Sequence, residues 1–150
     1  MTSDEEWLRW LRDAEQSHAG AVRAFEAKDW RNTCVLAQQA IELACKAVVA
    51  LFAEPQWSHD PADQIREAAL ARPDAEVEGR LGPGARGALE RLARDAHEAA
   101  PWHGWATYGR RLPERGWLAA VDVCTAQAAS DLLERAGRSV AAAGRLRRRP

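Results

Sequence analysis

Residues 37–47 read Ala37-Gln38-Gln39-Ala40-Ile41-Glu42-Leu43-Ala44-Cys45-Lys46-Ala47. Within this stretch Gln39, Glu42 and Lys46 stand three and four residues apart, so on a helix they share one face, with Glu42 and Lys46 in the favourable i,i+4 order. Outward from it, Cys34, Ile41, Ala44, Val48 and Leu51 line an apolar stripe. Asp29 supplies an N-cap and Pro55 a stop. The spacing predicts a helix from Asp29 to Pro55, the most buried of the chain. Taken alone, the polar trio also suits a plain salt-bridged stripe on a solvated face.

The same periodicity recurs on either side. Ser3 with Glu6 reads as a capping box, and Trp7, Leu11, Ala14, His18, Ala21 and Phe25 follow at steps of four and three, predicting a helix over 4–27. After Pro55-Gln56-Trp57-Ser58-His59, the pair Asp60-Pro61 supplies a cap and a proline suited to a first helical turn, with a short helix ending near Ala71. Asp74 to Gly84 reads as a surface loop, and Ala85 to Ala99 as a helix. The segment from Trp102 to Pro113, broken by glycines and prolines yet rich in aromatics, reads as a packed loop. A last helix is expected over 114–143, with Trp117, Val121, Cys124, Ala128, Leu132 and Val140 on one side. The expected fold is therefore all-α, an up-and-down bundle of about five helices with a long loop before the last one. Its expected extent is 1–143, followed by a basic tail over 144–150.

Composition narrows the function classes. A chain of 150 residues closes one hydrophobic core, and 47% apolar with 29% charged residues is the balance of a globular protein. Twenty-one Lys+Arg against 22 Asp+Glu leave a formal net charge of −1, so no whole-molecule field attracts nucleic acid or an anionic membrane. A phosphate-bearing partner has to find a local patch. The three cysteines, Cys34, Cys45 and Cys124, form no Cys-x-x-Cys pair and suit reduced thiols in a cytoplasm. The acidic start at Asp4, Glu5 and Glu6 is unlike a signal region, and no apolar run approaches the length of a membrane span. A cytoplasmic protein without membrane, metal or cofactor is the expectation.

The pattern Gln-Gln-Ala-x-Glu-x-x-x-Lys-Ala at 38–47 closely resembles the second helix of the HEPN family (higher eukaryotes and prokaryotes nucleotide-binding domain). The resemblance extends to Ala27-Lys28-Asp29-Trp30, similar to the link of the family's opening hairpin. Ser58-His59-Asp60 is similar to its His-Asp turn, so Gln39, Glu42, Lys46 and His59 stand as the family-motif residues. Ala106-Thr107-Tyr108-Gly109 occupies the place of the family's Ala-Arg-Tyr-Pro signature, but Thr107 replaces the arginine and Gly109 the proline. Arg110 and Arg111 follow directly. The resemblance implies a homodimer that binds a nucleotide or RNA and works with a minimal nucleotidyltransferase in a two-component, toxin–antitoxin-like system.

Many HEPN proteins resemble or are metal-independent ribonucleases with an Arg-x4-6-His motif, in which arginine steadies phosphate charge and histidine moves the 2′-hydroxyl proton. Arg12-x5-His18 and Arg91-x5-His97 fit the spacing, whereas about 1.5 matches arise by accident in such an arginine-rich chain. Of the two, Arg91 and His97 are the catalytic candidates, because they lie in the later half. Six positions along one helix nevertheless set them roughly 120° apart. His18, on an apolar stripe, reads as a core or border histidine. Glu15-x-x-His18 lacks the second Glu-x-x-His that a di-iron bundle requires. The ligand-binding candidates are Trp102, His103, Tyr108, Arg110 and Arg111, a loop that joins aromatics for base stacking to guanidiniums for phosphate. Three readings follow: a nucleotide- or RNA-binding module, a metal-independent endoribonuclease using Arg91 and His97, and a bundle that only docks another protein.

Overall fold

The opening hairpin sets the architecture. The computed structural model describes residues 2–147, in which α1 spans Ser3–Glu26 and α2 spans Trp30–Val49. The capping box of α1 sits one residue earlier than expected. Glu5 N donates to Thr2 Oγ1 at 3.2 Å and Thr2 N to Glu5 Oε2 at 2.6 Å, while Glu6 is drawn instead to Arg9. At the other end Lys28 adopts a left-handed φ of 58°. Lys28 N then reaches Phe25 O at 3.0 Å and Asp29 N reaches Ala24 O at 2.8 Å, a Schellman closure that satisfies the last carbonyls of α1. Asp29 immediately caps α2, its carboxylate accepting from Asn32 N at 3.2 Å. Two long helices are thus folded back on each other through three residues.

Next come α3 (Ala62–Ile65), continued by a π-helical turn over Arg66–Leu70, then α4 (Asp74–Leu81), α5 (Ala85–Ala99) and α6 (Trp102–Tyr108). An antiparallel hairpin of β1 (Arg110–Leu112) and β2 (Gly116–Leu118) follows, and α7 (Ala120–Val123) and α8 (Ala126–Arg145) complete the described fold. The expected all-α bundle is present, with α2 at its centre against α1, α8, α5, α6 and α3. Alanine makes this packing close: Ala14, Ala21, Ala37, Ala40, Ala44, Ala129, Ala136 and Ala143 are all fully buried. A β-carbon on Gly20 would stand 3.1 Å from Leu36 Cδ1, so α1 and α2 meet with no room to spare. His18 is half-buried at the border with α8, near Gly137.

Three local expectations are corrected. The stretch from Asp74 is helical to Leu81, because Val77 and Leu81, four apart, both bury. Trp102–Tyr108 is a helix, not a loop: Arg31 of α2 caps its carboxyl end, donating to Ala106 O at 2.9 Å and Thr107 O at 2.8 Å. The last long helix starts at Ala126, capped by Thr125, and not at Glu114. Pro113 and Gly116 turn the chain into the hairpin instead, leaving Trp117 and Val121 exposed rather than in the core. At the far end α8 runs through Arg145 and Leu146 is buried. Arg148, Arg149 and Pro150 of the expected tail lie outside the described residues.

Candidate functional site

Polar chemistry gathers where the loop after α2 folds back on that helix. Glu42 Oε1 meets His59 Nδ1 at 2.9 Å, and Glu42 Oε2 lies 3.8 Å from Lys46 Nζ. The side chains of Glu42 and Lys46 are about nine-tenths buried, so burial makes each charge depend on its partner. Gln39 lies one turn earlier and accepts from Ser17 Oγ of α1 at 3.3 Å. All four family-motif residues therefore lie along one edge of α2. The His59 ring stacks on His103 of α6, centroids 3.5 Å apart and planes 16° apart. Loop residue and α6 are locked together by that stack.

The neighbouring Asp60 does two jobs. Its Oδ1 accepts from Ala62 N at 3.0 Å at the start of α3, and its Oδ2 meets His97 Nδ1 at 2.9 Å. His97 is 71% exposed at the side chain, so its Nε2 edge remains open to water. A carboxylate on one ring nitrogen with solvent at the other is the arrangement of an oriented imidazole. Arg91 is exposed on the same helix, with Nη1 about 3.4 Å from where a β-carbon on Gly87 would sit. The guanidinium thus lies back toward the turn before it, while His97 is six positions ahead. A single copy of the chain does not bring Arg91 and His97 together. Among the described residues no group of three His, Cys, Asp or Glu side chains is arranged to hold a metal.

The other candidates lie on α6 and the hairpin. Trp102 is half-buried on the core and meets Trp105 edge-on, with centroids 5.3 Å apart. Arg110 lays its guanidinium over the Trp105 ring at 4.2 Å. Tyr108 and Arg111 are exposed, and the strand register sets Arg111 directly opposite Trp117. Facing residues of an antiparallel pair project from the same side of the sheet, so indole and guanidinium form one patch. Gly109 makes the hairpin possible: at φ 93° its missing β-carbon would fall 2.3 Å from Leu118 O. Proline, confined to negative φ, cannot stand there, which ties the loss of the signature proline to the hairpin itself.

Family membership now rests on more than a motif, since the HEPN domain model matches residues 7–145, nearly the whole described fold. The chain belongs to the HEPN family. No curated protein and no solved structure matches it. HEPN membership carries a nucleotide- or RNA-related function, and HEPN domains often dimerise. No described helix is long and apolar enough to cross a membrane.

Four contributors to this HEPN surface escape sequence reasoning. Asp60 reads as a cap before Pro61 and as part of the His-Asp turn, and neither signals that it also orients His97. Trp117 mimics a helix stripe through its spacing to Val121 and Cys124. The signal against that reading is Pro113-x-x-Gly116, a turn between two three-residue strands. Arg9 and Trp10 of α1 fall off the apolar stripe, yet Arg9 stacks over Trp10 at 4.5 Å beside Lys46.

Proposed function

We propose that this HEPN protein is a nucleotide- or RNA-binding module whose contact surface is the outer side of α6 and the hairpin. The observation that supports it is the cross-strand pair of Arg111 and Trp117, both exposed, on a hairpin that contributes little to the core. Large aromatic surface left in water marks a place where something binds. A base stacked on the Trp117 ring leaves its phosphate within the field of Arg111 on the same side of the hairpin, and Arg110, one residue earlier and on the opposite side, extends the positive field toward α6, a combination that tracks single strands without reading sequence. Trp105, under Arg110, keeps that guanidinium extended along the surface.

In this reading the protein acts as a homodimer with a minimal nucleotidyltransferase partner, in a two-component, toxin–antitoxin-like system. Fluorescence anisotropy with a labelled single-stranded RNA tests the surface: Arg110→Ala and Arg111→Ala each weaken binding, and the salt slope falls by about one for each phosphate that is no longer neutralised. Unchanged affinity in both variants removes the assignment. Co-purification with a minimal nucleotidyltransferase tests the partnership.

One observation favours a second reading. The Asp60–His97 pair presents an oriented imidazole to solvent, as a metal-independent endoribonuclease requires of its base, with Arg91 of the same or a second copy holding the phosphate. RNA cleavage in EDTA that disappears in His97→Ala supports this reading. RNA left equally intact by both proteins ends it.

A further inference from the structure

The opposite end of α2 holds binding capacity that the hairpin surface does not use. Lys46 has a side chain only 10% exposed, and among the described residues its ammonium makes no hydrogen bond. Glu42 Oε2, 3.8 Å away, balances the charge but lies beyond hydrogen-bond range, because Glu42 is held by His59 through its other oxygen. The three donors of this largely covered cation therefore have no acceptor from the protein and reach solvent through the cleft. They open onto a cleft of about 560 Å³ whose walls include Arg9, Trp10, Lys46, Trp57 and His59. That volume suits a small organic molecule.

Two further features shape what the cleft accepts. The Trp10 ring carries the Arg9 guanidinium at 4.5 Å and the Lys46 ammonium at 5.7 Å from its centroid, which holds two cations along one wall. Trp57, on the rim, is fully exposed and packs on nothing. Its loop is nevertheless anchored: Gln64 of α3 donates to Glu54 O at 2.7 Å and accepts from Gln56 N at 3.0 Å. An anchored segment thus presents a bare indole beside an ammonium that has no acceptor from the protein. The lining also contains carboxylates. Glu6 is paired with Arg9 at 2.9 Å and Glu42 with His59, while Glu54 stands at the exposed edge, where water screens it.

We propose that this cleft binds a small molecule bearing an oxyanion, carboxylate or phosphate, on a planar ring. The oxyanion takes the free donors of Lys46 beside Arg9, and the ring stacks on Trp57. The site is separate from the hairpin surface and does not depend on the RNA-binding reading.

Calorimetry on the full chain tests it with phenyl phosphate and indole-3-carboxylate, which offer the two oxyanions, and with phenol and indole, which offer the rings alone. At least one of the anions is expected to bind with one molecule per chain, its parent ring at least tenfold more weakly. Lys46→Met and Trp57→Ala each weaken the anion at least tenfold, while Arg111→Ala leaves it unchanged. Trp57→Ala alters only an exposed side chain, so it decides the matter even where Lys46→Met fails to fold. The proposal is overturned if neither anion binds, if ring and anion bind alike, or if Trp57→Ala binds as the wild type does. Binding abolished in Arg111→Ala but kept in Trp57→Ala assigns the ligand to the hairpin and equally overturns it.

Discussion

In the C-terminal half of α2, Glu42 and Lys46 are embedded among side chains such as Ile41, Ala44, Cys45 and Val48, every one of them buried. Near the other end of the same helix, Arg111 and Trp117 stand on a hairpin whose two strands are exposed except at Leu112 and Leu118, which are half-covered. In the first region burial fixes the geometry, and polar groups are positioned because a core surrounds them. In the second a pair of short strands and one glycine fix it, so polar and aromatic groups are positioned at little thermodynamic gain. Mutations are therefore expected to separate the two: stability should answer to the first region and RNA binding to the second.

The largest effect belongs to the spine. Ile41→Ala removes a fully buried side chain from the centre of α2 and is expected to cost about 2–5 kcal/mol. For a chain of this size that lowers Tm by about 2–4 °C per kcal/mol, measured by thermal denaturation. A cost below about 1 kcal/mol would break the contrast by showing that the spine is loosely packed.

Gly109→Ala comes next. A β-carbon there meets Leu118 O at 2.3 Å with φ at 93°, a strain on the order of 1–3 kcal/mol. Hydrogen exchange should quicken in Arg110–Leu118 while the amides of α2 stay protected, because the hairpin can open without the core. Equal loss of protection in both would mean that the two regions fold as one unit.

An alkaline effect comes from the buried thiols. Burial raises the pKa of Cys34 and Cys45 far above the ordinary thiol range. A folded pKa above the unfolded one gives stability that is fully present below the unfolded value of about 8.5 and lost as the pH rises past it, because only the unfolded chain can then ionise. Urea midpoints should fall between about pH 8 and pH 10, and Cys45→Ala should reduce that fall. The folded protein should also resist iodoacetamide at neutral pH.

Much of the spine is legible in the sequence because its signals are local and agree with one another. Asp29 as a cap, the stripe through Cys34, Ile41 and Ala44, and the break before Pro55 all describe one helix. The Glu42–Lys46 spacing likewise places the two charges together. What escapes is long-range. Nothing near Trp102 signals that Arg31, more than seventy residues away, caps its helix, and the proximity of Asp60 to His97 is set by how α3 packs on α5. The hairpin is hidden for another reason: Trp117, Val121, Cys124 and Ala128 keep helical spacing by coincidence, whereas three-residue strands carry too little periodicity to compete. His59 and His103, forty-four positions apart in sequence, meet only in the fold.

The most direct test of the division between the two regions is the paired substitution Arg111→Ala with Trp117→Ala, read by RNA affinity and by thermal stability on the same sample. Both side chains are exposed, so the denaturation midpoint should stay within the change expected for about 0.5 kcal/mol. Affinity for single-stranded RNA should fall at least tenfold, as removal of one stacking platform and one phosphate partner requires. RNA affinity unchanged in the paired variant, with the fold intact, would contradict the account.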